Sequence, residues 1–196
     1  KAPMKNKAMQ QALKACAMPA AYALQREQLF LTLEHLNARL QELDAWLQAQ
    51  AADNAQVNRL QTQKGVGLLT SLAVVHGVGD VTRFTNVRQQ VPAFVGLDPL
   101  EQSSGAKVRF GSISKRGSWL VRYLLGQAGH LAVRHDAALK SFAKRLGKKK
   151  PKAVVKTAVA RKLVVKLAIM LRDEISAAEF DQRGRTEGNA RRVRSR

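Results

Sequence analysis

The sequence predicts a mainly α fold: a long, coiled-coil-like N-terminal helix, then a compact helical domain with a helix-hairpin-helix-like element and an irregular serine loop. Three observations carry this prediction. Leucines recur at four-three spacing through residues 20–52, the pattern of a helix that buries one stripe. From residue 54 to residue 175, apolar runs of helical length are separated by capping residues and Gly-x-Gly turns. Hydrophobic residues make up 45% of the 196-residue chain, enough for a core.

Taken in order, residues 1–19 are small, basic and alanine-rich, and read as the frayed end of a helix that Pro19 breaks. From Ala20 to Ala52, Tyr22, Leu29, Leu33, Leu36, Leu40, Leu43 and Leu47 keep heptad spacing with one gap at Arg26. Two readings fit that stripe: a coiled coil between protomers, or an amphipathic helix lying on the core of its own domain. Asp53 and Asn54 close it. A second helix begins near Gln56 and stops at Gly65-Val66-Gly67, and Leu68 to Val75 is a short apolar helix halted by His76-Gly77-Val78-Gly79. Helix, Gly-x-Gly turn and helix resemble a helix-hairpin-helix, in which Gly65 and Gly67 let backbone N–H groups approach a phosphate and Lys64 adds a charge. A plain tight turn between packed helices is the alternative. No third glycine completes a dinucleotide fingerprint, and no Gly-Lys-Ser/Thr completes a Walker A loop.

A short helix starts near Asn86. Residues 100–117 lack helical periodicity and form a loop, with a short hairpin around Val108 to Ile113. Ser118 caps a helix from Trp119 to Arg134, and Asp136 caps the next one through Phe142 and Arg145. Gly147 to Lys152 is a basic linker. Ala153 to Ile175 is helical, with Lys156, Arg161, Lys162 and Lys166 as cations among its apolar residues. Three segments follow: a helical, coiled-coil segment 1–54, a main domain 55–175, and a disordered basic tail 176–196.

Lys and Arg number 34 against 14 Asp and Glu, a formal charge of +20. Self-repulsion on that scale calls for a polyanionic partner, nucleic acid first and an anionic membrane surface second. The membrane reading would use the basic helix at 153–175, but aromatics are only 5% of the chain and none forms an interfacial face there. No apolar run approaches the roughly 20 residues needed to span a bilayer. Cys16 is the only cysteine, which fits a reducing, cytoplasmic location. The start, Lys1-Ala2-Pro3-Met4, has no apolar signal region and no initiator methionine, so a segment upstream is expected.

His35, His76, His130 and His135 show no zinc-type spacing, so no metal ligand is assigned. Asp98 and Glu101 lie near the serine loop, and Asp173, Glu174, Glu179 and Asp181 read as a solvated helix end. The remaining chemistry centres on Ser103-Ser104-Gly105. A serine hydroxyl attacks a phosphodiester only when a base or metal activates it and cations stabilise the crowded phosphate. Ser104 is the candidate nucleophile, and Lys107, Arg109, Lys115, Arg116 and Arg122 are the candidate charge stabilisers. On the residues alone, a loop that only touches phosphates remains an open alternative, and so does a non-catalytic basic DNA- or RNA-binding module.

Gly65-Val66-Gly67 with Thr70, Gly79-Asp80, Arg83-Phe84, Gly96-Leu97-Asp98-Pro99, Ser104-Gly105, Ile113-Ser114-Lys115-Arg116-Gly117 and Leu120-Val121-Arg122 together resemble one known domain. It is the C-terminal transposase domain of the IS116/IS110/IS902-type insertion-sequence family, which includes the Piv-type DNA invertases and the RNA-guided bridge recombinases. The resemblance runs from Leu60 to Leu171. Val121 interrupts the family's leucine-arginine junction, with Leu120 and Arg122 flanking it.

The resemblance implies a site-specific DNA recombinase in which Ser104 forms a covalent phosphoserine link to DNA. It also implies DNA as partner, a structured guide RNA in the bridge type, and homo-oligomers from dimer to tetramer assembled through the leucine-rich helix. In the family the metal half-site, holding Mg2+, comes from an N-terminal RuvC-like domain absent from these 196 residues. The expectation is a fragment or truncated product that uses no cofactor of its own, binds nucleic acid and does not cut it.

Overall fold

The computed structural model describes residues 7–101 and 110–184. The chain divides into two compact units, Lys1–Gln50 and Ala51–Arg196.

The first unit is a helical hairpin of α1 (Lys7–Ala15) and α2 (Ala20–Ala52). The 33-residue α2 contains no glycine, proline, valine or isoleucine, so little in its sequence opposes a continuous helix. Pro19 starts it: its carbonyl accepts from the N–H groups of Tyr22 and Ala23, both at 3.0 Å. Arg26, the gap in the heptad, has its own task. Its guanidinium donates to the carbonyls of Leu13 (3.0 Å) and Cys16 (2.7 Å), capping the C-terminal end of α1. Phe30 is the best-buried side chain of this unit, with the Lys14 ammonium 5.0 Å from its ring centre. The heptad stripe itself is open to solvent: Leu29, Leu36, Leu40 and Leu43 are each more than half exposed.

The second unit is built around α8 (Lys152–Arg172). Leu163, Val164, Leu167, Ala168 and Met170 of α8 are fully buried. Around them pack α3 (Ala55–Gln61), α5 (Val87–Phe94), α6 (Trp119–His135) and α7 (Ala137–Gly147), while α4 (Leu68–Val78) lies against α3 and α6. Ser118 and Asp136 cap their helices as the sequence predicts, and Asn54, read there as closing α2, caps α3 as well. Asn54 Oδ1 accepts from the N–H groups of Gln56 and Val57, Ser118 from Val121, and Asp136 from Ala138 and Leu139. Mainly α architecture is therefore what the chain adopts.

The last long helix, α8, ends at Arg172 rather than Ile175, and three further boundaries differ from the sequence reading. The second helix ends at Gln61, before the Gly65 turn. Helix α4 does not halt at His76-Gly77 but runs to Val78 and ends at Gly79, whose φ is +68°. Gly77 acts there as a packing residue, since a Cβ on it would lie 2.7 Å from Val121 Cγ2 of α6. Residues 177–184, assigned to the tail by composition, are helical. Ser176 and Glu179 form a reciprocal capping box, with the Ser176 N–H donating to Glu179 Oε2 at 2.6 Å and the Glu179 N–H to Ser176 Oγ at 3.4 Å. The Ser176 N–H, first, and the Ser176 hydroxyl, both donating to the Glu179 carboxylate, hold it below its ordinary range.

Lys166 is not on a solvated cationic face. Its ammonium is buried and lies 3.0 Å from Asp136 Oδ2 and 2.7 Å from Asp181 Oδ1, with the Phe180 ring at 5.2 Å. Burial alone pushes the Asp136 carboxyl up, but the Leu139 and Ala138 N–H groups and the Lys166 ammonium outweigh it, and the carboxyl sits below its usual range. One ion network thus ties the α6–α7 junction, α8 and the C-terminal helix together.

Candidate nucleic-acid interface

The segment that contains Ser104 leaves strand β1 (Pro99–Glu101) and returns through β2 (Phe110–Ile113). The two strands pair antiparallel, with Pro99 opposite Ile113 and Glu101 opposite Phe110. Ser104, Lys107 and Arg109 lie outside the described residues. What the structure describes is the base that carries the hairpin.

That base is a backbone-to-backbone clamp. Gly96 (φ +73°) and Gly117 come from the two sides of the hairpin. A Cβ on Gly96 would lie 2.7 Å from the Arg116 nitrogen, and one on Gly117 would lie 2.1 Å from the Phe94 carbonyl oxygen. Only hydrogen fits at either position, so the two segments close on each other. The Lys115 N–H donates to the Gly96 carbonyl (3.1 Å) and the Ser114 N–H to the Asp98 carbonyl (2.9 Å). The Ser114 hydroxyl also donates to the Asp98 carboxylate. Arg122 of α6 completes the clamp by donating to the carbonyls of Val95 and Gly117.

The motifs upstream support the same platform. Gly79 ends α4, and Asp80 accepts from the N–H and hydroxyl of Thr82, starting a 3-10 turn at Val81–Arg83. The Thr82 hydroxyl, first, and its N–H hold the Asp80 carboxyl below its ordinary range. Arg83 lies against the edge-to-face pair of rings of Phe84 (4.6 Å) and Phe94 (4.5 Å) and donates to the Val78 carbonyl at 2.8 Å. It therefore links the ends of α4 and α5.

Of the other predicted residues, Lys64 is exposed in the turn between α3 and α4. Gly65 (φ +92°) in that turn is pressed on α6, where a Cβ would lie 2.5 Å from the Ala132 nitrogen, whereas Gly67 has open space at the start of α4. Arg116 is exposed beside the clamp. Lys115 and Arg122 come together and line a cleft of about 260 Å3 with Leu97, Ile113, Tyr123 and Lys156. The Lys64 turn is not part of that cleft.

In the sequence Lys156 is one cation among several on its helix. Its position was nevertheless readable: Lys156, Ala160, Leu163 and Leu167 follow one helical face, so the lysine stands at the rim of the buried stripe. Its stem passes over Gly126 of α6, where a Cβ would meet Lys156 Cε at an ordinary contact distance of 3.5 Å. Among the described residues no cluster of His, Cys, Asp and Glu could hold a metal ion, and no helix is long and apolar enough to cross a membrane.

Comparison with known proteins places these features in a family. Residues 57–144 match the family described as Transposase IS116/IS110/IS902, a span that includes the clamp and the serine segment. A probable family 20 transposase of Pseudomonas aeruginosa is 34% identical over 134 residues, covering 66% of this chain and 39% of that protein. The transposase for insertion sequence element IS1111A of Coxiella burnetii is 37% identical over 107 residues, 55% of this chain and 29% of its own length. The transposase for element IS1328 of Yersinia enterocolitica is 31% identical over 97 residues, 50% of this chain and 29% of its own length. The chain thus spans less than half the length of the curated relatives it matches. Residues 57–144 of the chain carry the domain of the IS116/IS110/IS902 transposase family.

Proposed function

We propose that this chain is the DNA-binding, serine-bearing C-terminal part of an insertion-sequence transposase that exchanges DNA strands through a phosphoserine link. The observation that carries the reading is the clamp. Two glycines that admit no side chain, a backbone ladder and an arginine spent on carbonyls all fix the base of the hairpin leading to Ser104. A nucleophile on a rigid base needs less ordering at the moment of reaction.

In the proposed step, Ser104 Oγ forms a bond to a DNA phosphorus. One deoxyribose oxygen leaves with a proton, and the serine proton passes to a base. The reverse step restores the backbone and frees the serine. The cations near the hairpin, Lys115 and Arg116 among them, offset the charge that builds on the phosphate.

The family's magnesium finds no ligand cluster among the described residues. The reading assigns it to an upstream RuvC-like domain, and no step here runs through it. This chain alone is expected to bind DNA and leave it uncut. The leucine stripe of α2 is the proposed assembly surface for dimers to tetramers, and a structured guide RNA is a further proposed partner.

The test restores an upstream domain and compares wild type with Ser104→Ala. DNA binding should persist while strand exchange disappears. Strand exchange at wild-type level in the variant would leave the non-catalytic DNA- or RNA-binding module as the better reading.

A further inference from the structure

We propose that the cleft at the hairpin base is a site for an unpaired DNA strand, in which Lys115 and Lys156 hold one backbone phosphate and Trp119 with Tyr123 meets the adjoining base. The inference rests on the reading above that the chain handles DNA.

The two lysines come from elements far apart in sequence, the β2–α6 link and α8, yet line one cleft whose floor is Leu97, Ile113 and Ala160. Neither makes an ion pair among the described residues, as holds for most of the described cations; what sets these two apart is that they converge on one cleft. Unpaired cations converging in a chain of charge +20 call for an anion from outside.

Lys115 adds a second sign. Its φ is +56°, a conformation in which glycine is favoured and a lysine is strained. The clamp imposes that conformation through the Lys115 N–H bond to Gly96, but nothing in the clamp requires the long cationic side chain. Strain kept with a charged group on a cleft points to a ligand.

The third sign favours nucleic acid over a small anion. Trp119 and Tyr123 lie one helical turn apart at the start of α6 and are 70% and 57% exposed. Tyr123 lines the cleft itself. Exposed aromatics beside a cationic groove are how proteins hold unpaired strands: the backbone sits in the groove and the bases stack on the rings.

The test uses the 196-residue chain and a mixed-sequence single-stranded DNA oligonucleotide, with affinity followed by anisotropy across salt concentrations. Lys115→Gly is compatible with the backbone, and Lys156→Gln keeps the stem over Gly126. Each should lower affinity about fivefold at 0.1 M salt, and the double variant should reduce the salt slope by about 0.7, the value of the one single-strand phosphate contact the two lysines share. The charge-matched pair Lys140→Gln and Lys144→Gln on exposed parts of α7 serves as control. In a Trp46→Phe background Trp119 is the only indole, and its emission should be quenched as DNA saturates the protein.

Three results would overturn the proposal: control variants that cost as much as the cleft variants, Trp119 emission unchanged at saturation, or an effect on an RNA oligonucleotide with none on DNA. No readout involves Ser104. Failure of covalent transfer with an intact lysine effect removes the serine reading alone, and the converse removes the cleft alone.

Discussion

Replacing Gly65 with alanine should unfold the second unit at markedly lower temperature. Two costs add. The residue has φ +92°, which for a side-chain-bearing residue costs roughly 1–2 kcal/mol. The new Cβ would also lie 2.5 Å from the Ala132 nitrogen and 2.8 Å from its Cα. Both are backbone atoms inside α6 that no rotamer change can move, so the overpacking term is about 1–3 kcal/mol. The sum is about 3 kcal/mol, and at roughly 3 °C per kcal/mol for a chain of this size the melting temperature should fall by about 10 °C. Calorimetry or far-UV circular dichroism melts measure it. Gly67→Ser is the companion. Its site is open and its backbone extended (φ −97°, ψ 179°), and serine caps a helix slightly better than glycine, so its melt should stay level or rise by a degree or so. A Gly65→Ala protein that melts with the wild type, yet binds DNA poorly, would refute the packing argument and leave phosphate approach as the purpose of that glycine.

Other outcomes follow from the same geometry. Lys166→Met strands the buried Asp136 carboxylate and should cost about 3 kcal/mol in urea unfolding. Because the Asp136 carboxyl is held low when folded, its contribution is full above the unfolded value of about 3.9 and lost as pH falls through the lower folded value. Asp136→Asn should therefore flatten the acid limb of the stability profile. Glu174, at φ +55° beyond the end of α8, should yield about 1 kcal/mol of added stability on change to glycine, read as a raised urea midpoint. Leu36→Lys with Leu40→Lys, both on the exposed stripe of α2, should lower the mass seen by light scattering with helicity kept; an unchanged mass would remove that stripe from assembly.

Much of this architecture could be read from local sequence, because the signals are local. Ser118 and Asp136 cap helices that begin where their side chains said, and α2 runs from Ala20 to Ala52 on its leucine spacing. Ser176-Ala177-Ala178-Glu179 was an equally local capping box, hidden because the arginine-rich composition beyond it dominated the reading of the tail. The remainder depends on contacts across the chain. Gly65, Gly77 and Gly117 look like turn residues in isolation, and only the approach of α6 or α5 makes them packing residues. Lys166 looks like its neighbours Arg161 and Lys162 until Asp136 and Asp181 arrive from elsewhere. Arg122 reads as a cation for phosphate, yet it donates to carbonyls, and Arg83 lies against two rings and donates to a carbonyl as well. Net charge announces a polyanion, but it does not say which cations the fold keeps for itself.

The most direct measurement is peptide mapping of the protein–DNA product trapped under denaturing conditions from a transposase with its upstream domain in place. The account predicts one modified peptide, carrying a nucleotide on the hydroxyl of Ser104. Nucleotide found on Ser103 or on any other residue would contradict it.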